Sequence, residues 1–163
     1  MVLKFILILC ISILLLFSLK YLKKRFDSFE VFLLLLFTSY NIQNFFYLLS
    51  SPYPHLMVVE KHLQFWAARI HYGVISPVLL LWVMYVLRGN KSLSLKIATC
   101  FSWVTGGVLF DKVLLIIGVL KSKGDNWHPE INLVLSMVVL SSSIYFMEIL
   151  KKILLKERVI HDE

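Results

Sequence analysis

The sequence is poor in charged residues, which make up 17% of its 163 positions, whereas hydrophobic residues make up 59%. In a soluble domain about a quarter of the residues is charged. Several apolar runs are also longer than a buried core helix needs, which excludes water as the main solvent and favours lipid. The sequence therefore predicts an all-α fold, an integral membrane bundle of about five transmembrane helices that forms a single domain.

Cysteines and catalytic motifs are also scarce. The two cysteines, Cys10 and Cys100, lie inside apolar runs and match neither a metal-binding nor a redox spacing. The chain lacks a nucleotide-binding glycine loop, a set of metal ligands and a nucleophile motif. These absences favour a non-enzymatic protein, and we expect neither a cofactor nor a metal.

Five apolar runs define the expected spans. The first is followed by lysines and not by a small-residue cleavage site, so we interpret it as a span and not as a signal peptide. Pro77 predicts a bend in the third run, and Ser50 to Pro54 and Gly124 to Asn126 predict turns. A short charged tail, 151–163, follows the last run. The spans are expected near residues 2–19, 31–49, 64–87, 97–120 and 131–150.

Basic residues predict the orientation. Most of the 17 Lys and Arg residues lie after the first and third runs and in the tail, where the positive-inside rule places cytoplasmic residues. We therefore expect a plasma-membrane protein with its N-terminus outside and its C-terminus in the cytoplasm. The net charge of +7 reports this orientation and not a nucleic-acid partner. The expected partner is the lipid bilayer, and a second membrane protein or a homo-oligomer is a further option.

Two charged residues, Arg69 and Asp111, lie within the expected spans. Each costs about 2.5–3.5 kcal/mol at the centre of a bilayer on insertion scales, so they are the first candidates for a specific role. Asp111 lies nine residues before Leu120, roughly 14 Å from the expected outer end of its helix. The pair either bonds directly or is separated by a ligand.

Other polar residues fall in the same predicted outer layer. They either fix helix packing through interhelical hydrogen bonds or form an outward-facing ligand pocket. His71 is the histidine inside a span, but it has no partner at matched depth for a haem, and His62 lies on the opposite helix face, which argues against a shared zinc. The predicted cluster comprises Asn41, Asn44, Arg69, His71, Asp111, Lys112, Asn132 and Ser136.

The last three runs carry several short motifs. Ser76-Pro77 leads to Leu81-Trp82, and Ile116-Ile117-Gly118 is followed by a polar turn, Trp127 and a helix start from Asn132 to Ser136. This layout covers about half of the chain and resembles small uncharacterised multi-pass membrane proteins of spore-forming Gram-positive bacteria. The resemblance implies a bacterial plasma membrane and a compact bundle.

Three classes of function remain open. The first is a non-enzymatic partner subunit, sensor or accessory factor, which the absence of catalytic motifs favours. The second is a small transporter or ligand-binding protein that uses an outer-leaflet polar pocket around Arg69 and Asp111. The third is a membrane enzyme acting on a lipid or quinone, with His71, Glu60 and Asp111 as acid-base groups.

Overall fold

A computed structural model of the chain describes residues 2–50, 56–122 and 127–157, and it is mostly helical. The expected turns at 51–54 and 124–126, and residues 158–163 of the expected tail, lie outside the described residues. The elements in chain order are α1 (Val2–Ser18) with a 3-10 extension (Leu19–Lys24), α2 (Ser28–Ser50), β1 (Leu56–Val58), α3 (His62–Ile70), a π-helical segment (His71–Ile75), α4 (Ser76–Arg88), α5 (Leu93–Ile116), β2 (Leu120–Ser122) and α6 (Pro129–Lys156).

Four helical stretches are long and apolar enough to cross a membrane: Val2–Lys24, His62–Arg88, Leu93–Ile116 and Pro129–Lys156. At 24 residues, α5 is about 36 Å long, which exceeds the ~30 Å of a bilayer's hydrocarbon core. The fifth long helix, α2, is not among the four and carries three amide side chains. The prediction of a mainly helical chain is confirmed, and a composition suited to lipid is shown for four of the five long helices.

The bundle is a ring of four helices with a fifth on its outside. α2 packs against α4 and α6, and α5 packs against the same two helices from the other side. α1 lies outside this ring against α3 and the π-helical segment. Hydrogen bonds hold α1 near both ends, because Lys4 Nζ donates to the Ile117 carbonyl (3.1 Å) and Trp82 Nε1 donates to Ser18 Oγ (2.9 Å).

A pair of three-residue strands closes one end of the bundle. β1 and β2 are antiparallel, with Leu56 opposite Ser122 and Val58 opposite Leu120. Because these strands lie between α2 and α3 and between α5 and α6, they join two loops that are distant in sequence. We call this the strand-pair end.

The end of α5 differs from the prediction, which extended the helix to Leu120. Gly118 adopts a φ of 74°, a left-handed conformation that ends helices and favours glycine. Its amide donates to the Leu115 carbonyl (3.0 Å) and the Val119 amide donates to the Leu114 carbonyl (2.9 Å), the two bonds of a Schellman motif. The helix therefore stops at Ile116 and leaves the chain free to form β2.

The opposite end of the bundle contains an ion pair. Arg88 donates to the carboxylate of Glu30, whose side chain is 1% exposed, and the Arg88 guanidinium lies 4.8 Å from the centre of the Phe26 ring. Arg25 donates to the Tyr85 carbonyl at 2.7 Å. These contacts connect α4 to the first turn of α2 and to the link between α1 and α2. We call this the basic end, because the lysines of that link and of the last turns of α6 lie here.

Pro77, where the sequence predicts a bend, lies in the first turn of α4, directly after the π-helical segment. The Ser76 amide donates to the carbonyl of His71, five residues back and not the usual four. In an α-helix the amide of residue 77 would bond to the carbonyl of residue 73, but proline has no amide hydrogen. Ser39 Oγ of α2 donates to the Gly73 carbonyl instead, at 2.9 Å. A side chain of a neighbouring helix thus donates to the carbonyl that Pro77 cannot bond.

Candidate functional site

A cavity of about 470 Å³ lies inside the ring formed by α2, α4, α5 and α6. This volume is in the range of small-molecule sites, roughly 300–1,000 Å³. Aromatic and aliphatic side chains make up most of its wall, including Phe45, Trp82 and Trp103. On α5 the wall includes the small residues Ser102, Gly106 and Gly107 beside Trp103 and Phe110, and a Cβ placed at Gly106 would meet nothing within 4 Å. The cavity is therefore apolar and has room on its α5 side.

The Asp111 carboxylate is the charged group on the wall of this central cavity, within the residues that the structure describes. One of its oxygens accepts a hydrogen bond from the Tyr72 hydroxyl (2.7 Å) and the other accepts one from Asn132 Nδ2 (2.9 Å). Both donors are neutral, and no described Lys, Arg or His side chain lies within ion-pair distance of Asp111. Because an unpaired carboxylate away from water is costly, the site favours a cationic or hydrogen-bond-donating group in the cavity.

Three elements bring these groups together near the strand-pair end. Asp111 lies five residues before the last residue of α5, about 8 Å along the helix and not the 14 Å expected from the sequence, because α5 ends early. Asn132 lies in the first turn of α6, and its side chain is 4% exposed. Tyr72 belongs to the π-helical segment. The donors thus come from two different elements that pack near α5.

His71 lines the same cavity next to Tyr72. Its ring stacks on Phe110, with the centroids 4.4 Å apart, and its Nε2 lies 3.3 Å from Ser76 Oγ. The Nδ1 atom is buried and has no hydrogen-bond partner among the described residues. No group of three or more His, Cys, Asp or Glu in the described part of the chain is placed to hold a metal ion. His71 therefore offers the cavity a polar ring and not a metal-binding cluster.

A second cavity, of about 260 Å³, contains Arg69 on its wall. The rings of Phe46 and Tyr72 stack at 4.0 Å and line both cavities, so this stack stands between them. Arg69 Nη1 donates to Gln43 Oε1 at 3.2 Å. The direct Arg69 to Asp111 bond considered from the sequence is not formed, because the two side chains line different cavities on opposite sides of the stack.

The predicted cluster separates into two groups in the structure. His71, Asp111, Asn132 and Ser136 are brought together at the central cavity.

The other four predicted residues lie elsewhere. Asn41 Nδ2 donates to Ser142 Oγ (2.7 Å) and joins α2 to α6. Asn44 is exposed and donates to the Tyr40 carbonyl of its own helix. Lys112 is exposed, with its ammonium 5.8 Å from the centre of the Trp127 ring, and Arg69 lines the second cavity.

Tyr72 and Gln43 are site residues that the sequence analysis did not identify. A tyrosine within an apolar run is typical of a packed aromatic residue, and Gln43 is one of several amides on α2. The depth of Tyr72 was a usable signal, because it lies ten residues into the long helix, too far from the end for an interfacial anchor. Glu60, which the enzyme hypothesis included, is exposed in the link between β1 and α3 and does not line the central cavity.

No protein-family model, curated protein or solved structure matches the chain. The chemistry of the central cavity is therefore the basis for inferring a function.

Proposed function

We propose that the chain is a non-enzymatic plasma-membrane protein that crosses the bilayer five times and binds a small amphiphilic molecule in its central cavity. Four helices of suitable length and composition support the membrane location. α2 is the proposed fifth crossing, and its amide groups Asn41 and Gln43 hydrogen-bond to neighbouring side chains, so lipid need not solvate them. The basic end faces the cytoplasm in this arrangement, with the N-terminus outside.

The observation that supports ligand binding is an acidic group held in place at an apolar cavity. Tyr72 and Asn132 fix the Asp111 carboxylate, so it needs little rearrangement to receive a ligand. The apolar body of the ligand packs against the aromatic wall, and an ammonium or hydroxyl group donates to Asp111. An anionic head group is disfavoured because it would meet a like charge.

Ligand binding is a step that a sensor, an accessory factor and a small transporter share. The role of a partner subunit stays a prediction. A bacterial plasma membrane, which the sequence resemblance implies, stays part of the proposal.

The proposal is tested by titrating the purified full-length protein with three matched probes, 4-phenylbutylamine, 4-phenylbutanol and 4-phenylbutyrate. Trp82 and Trp103 line the cavity, so intrinsic fluorescence reports its occupation. We expect the amine to bind most tightly and the carboxylate most weakly. Asp111→Asn should weaken amine binding by about 10-fold or more, the value of a hydrogen bond to a charged group, and should weaken alcohol binding less, because an amide oxygen still accepts from the hydroxyl.

A cavity-filling variant provides the second arm. Gly106→Phe places a ring in the open space on the α5 side and should weaken binding of the amine and the alcohol alike. Leu109→Phe is the matched control, because Leu109 is 63% exposed and does not line the cavity. Equal affinity for the three probes, or equal effects of the two phenylalanine variants, would overturn the proposal.

A further inference from the structure

The second cavity has a different chemistry from the central one, because its charged group is a cation. Arg69 lies on its wall with Gln43, Tyr47 and Tyr72, and the remaining lining residues are apolar, among them Phe65. Among the residues that the structure describes, no acidic side chain lies within ion-pair distance of Arg69. The guanidinium has five N–H donors, and the bond to Gln43 uses one of them. The cavity therefore has hydrogen-bond donors and a positive charge to offer.

A chain of hydrogen bonds connects Arg69, an exposed residue, to α2 and the π-helical segment. Arg69 donates to Gln43 Oε1 (3.2 Å), Gln43 Nε2 donates to Ser39 Oγ (3.1 Å), and Ser39 Oγ donates to the Gly73 carbonyl (2.9 Å). The guanidinium also lies 5.3 Å from the centre of the Phe65 ring. Because these two contacts already restrict the guanidinium, it loses less entropy when it binds an anion than a guanidinium without contacts does.

The size and surroundings of the cavity indicate the kind of anion. At about 260 Å³, it is smaller than typical sites for whole drug-sized molecules, which begin at roughly 300 Å³. Phe65 and Trp66 of α3 are 43% and 56% exposed and extend an apolar surface from the cavity toward the surrounding lipid. A compact anionic group attached to an apolar chain matches both features. Arginine pairs well with phosphate because two N–H groups can bond to two oxygens at once.

We propose that the Arg69 cavity binds the phosphate group of a membrane lipid, whose acyl chains remain in the bilayer alongside α3. This inference rests on the proposed membrane location but not on ligand binding in the central cavity, which lies on the other side of the Phe46 and Tyr72 stack. The phosphate accepts hydrogen bonds from Arg69, and β1 forms part of the wall through Met57 and Val58.

Native mass spectrometry of the full-length protein tests this proposal with three probes. Dioleoylphosphatidylglycerol carries the phosphate and the chains, dioleoylglycerol lacks the phosphate, and glycerol phosphate lacks the chains. We expect retention of the phospholipid alone. Arg69→Gln should lower retention by about 10-fold, Arg69→Lys should lower it less because the charge remains, and Met57→Trp should lower it by filling the cavity while Arg69 stays in place.

Lys112→Gln is the matched control, because Lys112 is an exposed cation beside an aromatic ring and does not line either cavity. It should retain the phospholipid as the unmodified protein does. Equal losses in Arg69→Gln and Lys112→Gln would show that the lipid binds by surface charge alone and would overturn the proposal. Retention of dioleoylglycerol, or tight binding of glycerol phosphate without its chains, would also contradict it.

Discussion

Tyr72→Phe removes a single oxygen atom from the site and leaves most of its packing unchanged. The ring stack on Phe46 at 4.0 Å and the edge contact with His71 at 4.7 Å do not involve the hydroxyl. The bond lost is the 2.7 Å bond to Asp111. Interhelical hydrogen bonds in a membrane protein average about 0.6 kcal/mol, and bonds to a charged group contribute about 1.5–3 kcal/mol. Because Asp111 keeps Asn132 as a donor, we expect the free energy of unfolding to fall by about 1–2 kcal/mol.

The measurement is equilibrium unfolding by sodium dodecyl sulfate in mixed micelles, with Asp111→Ala as the second arm of a double-mutant cycle. The cycle should give a coupling energy of about 1–2 kcal/mol between the two residues. Tyr145→Phe is the matched control, because Tyr145 is 70% exposed, and its change should stay within about 0.5 kcal/mol. A Tyr72→Phe variant as stable as the control, or a coupling energy near zero, would refute the role of this bond.

Two further predictions concern the frame around the site, and the same unfolding assay checks both. Arg88→Met should cost about 3–5 kcal/mol because it leaves the buried Glu30 carboxylate without its cation. The double variant with Glu30→Gln should recover part of that loss, and no recovery would contradict the account of the pair. Ser39→Ala should cost about 1 kcal/mol by removing the donor to the Gly73 carbonyl. The cost should shrink in a Pro77→Ala background, where an amide hydrogen returns, and an unchanged cost would argue against this role for Ser39.

The lengths of the apolar runs and the positions of the polar residues between them predict most of the fold. The runs predicted helices at the positions where the structure has them, because a segment long enough to cross lipid must satisfy its backbone internally. The residues at which the helices end were harder to predict from the sequence. α6 continues to Lys156, six residues beyond the expected Leu150. A helix does not have to end where its apolar run ends, so the run length did not predict this position. The pairing of β1 with β2 depends on where two loops that are distant in sequence meet. The lengths of the apolar runs do not predict this meeting point.

The candidate site also could be predicted only in part from the sequence. Asp111 was identifiable because a carboxylate within an apolar run is costly and therefore informative. The hydrogen-bond partners of Asp111 could not be identified from the sequence, since they depend on how the helices rotate against one another. The π-helical segment changes that rotation by adding one residue to a turn, so Arg69 and Ser76, which are seven residues apart and would share a face of a regular α-helix, line different cavities.

Charge-selective labelling of a cysteine in the central cavity tests the main claim, that an accessible cavity contains an unpaired carboxylate. The measurement uses Ser136→Cys in a Cys10→Ser and Cys100→Ser background, with Met137→Cys, exposed on the outside of α6, as the control. The account predicts that the cation methanethiosulfonate ethylammonium labels Cys at position 136 faster than the anion methanethiosulfonate ethylsulfonate, relative to the control. Asp111→Asn should remove this preference. No labelling at position 136, or equal relative rates for the two reagents, would contradict the account.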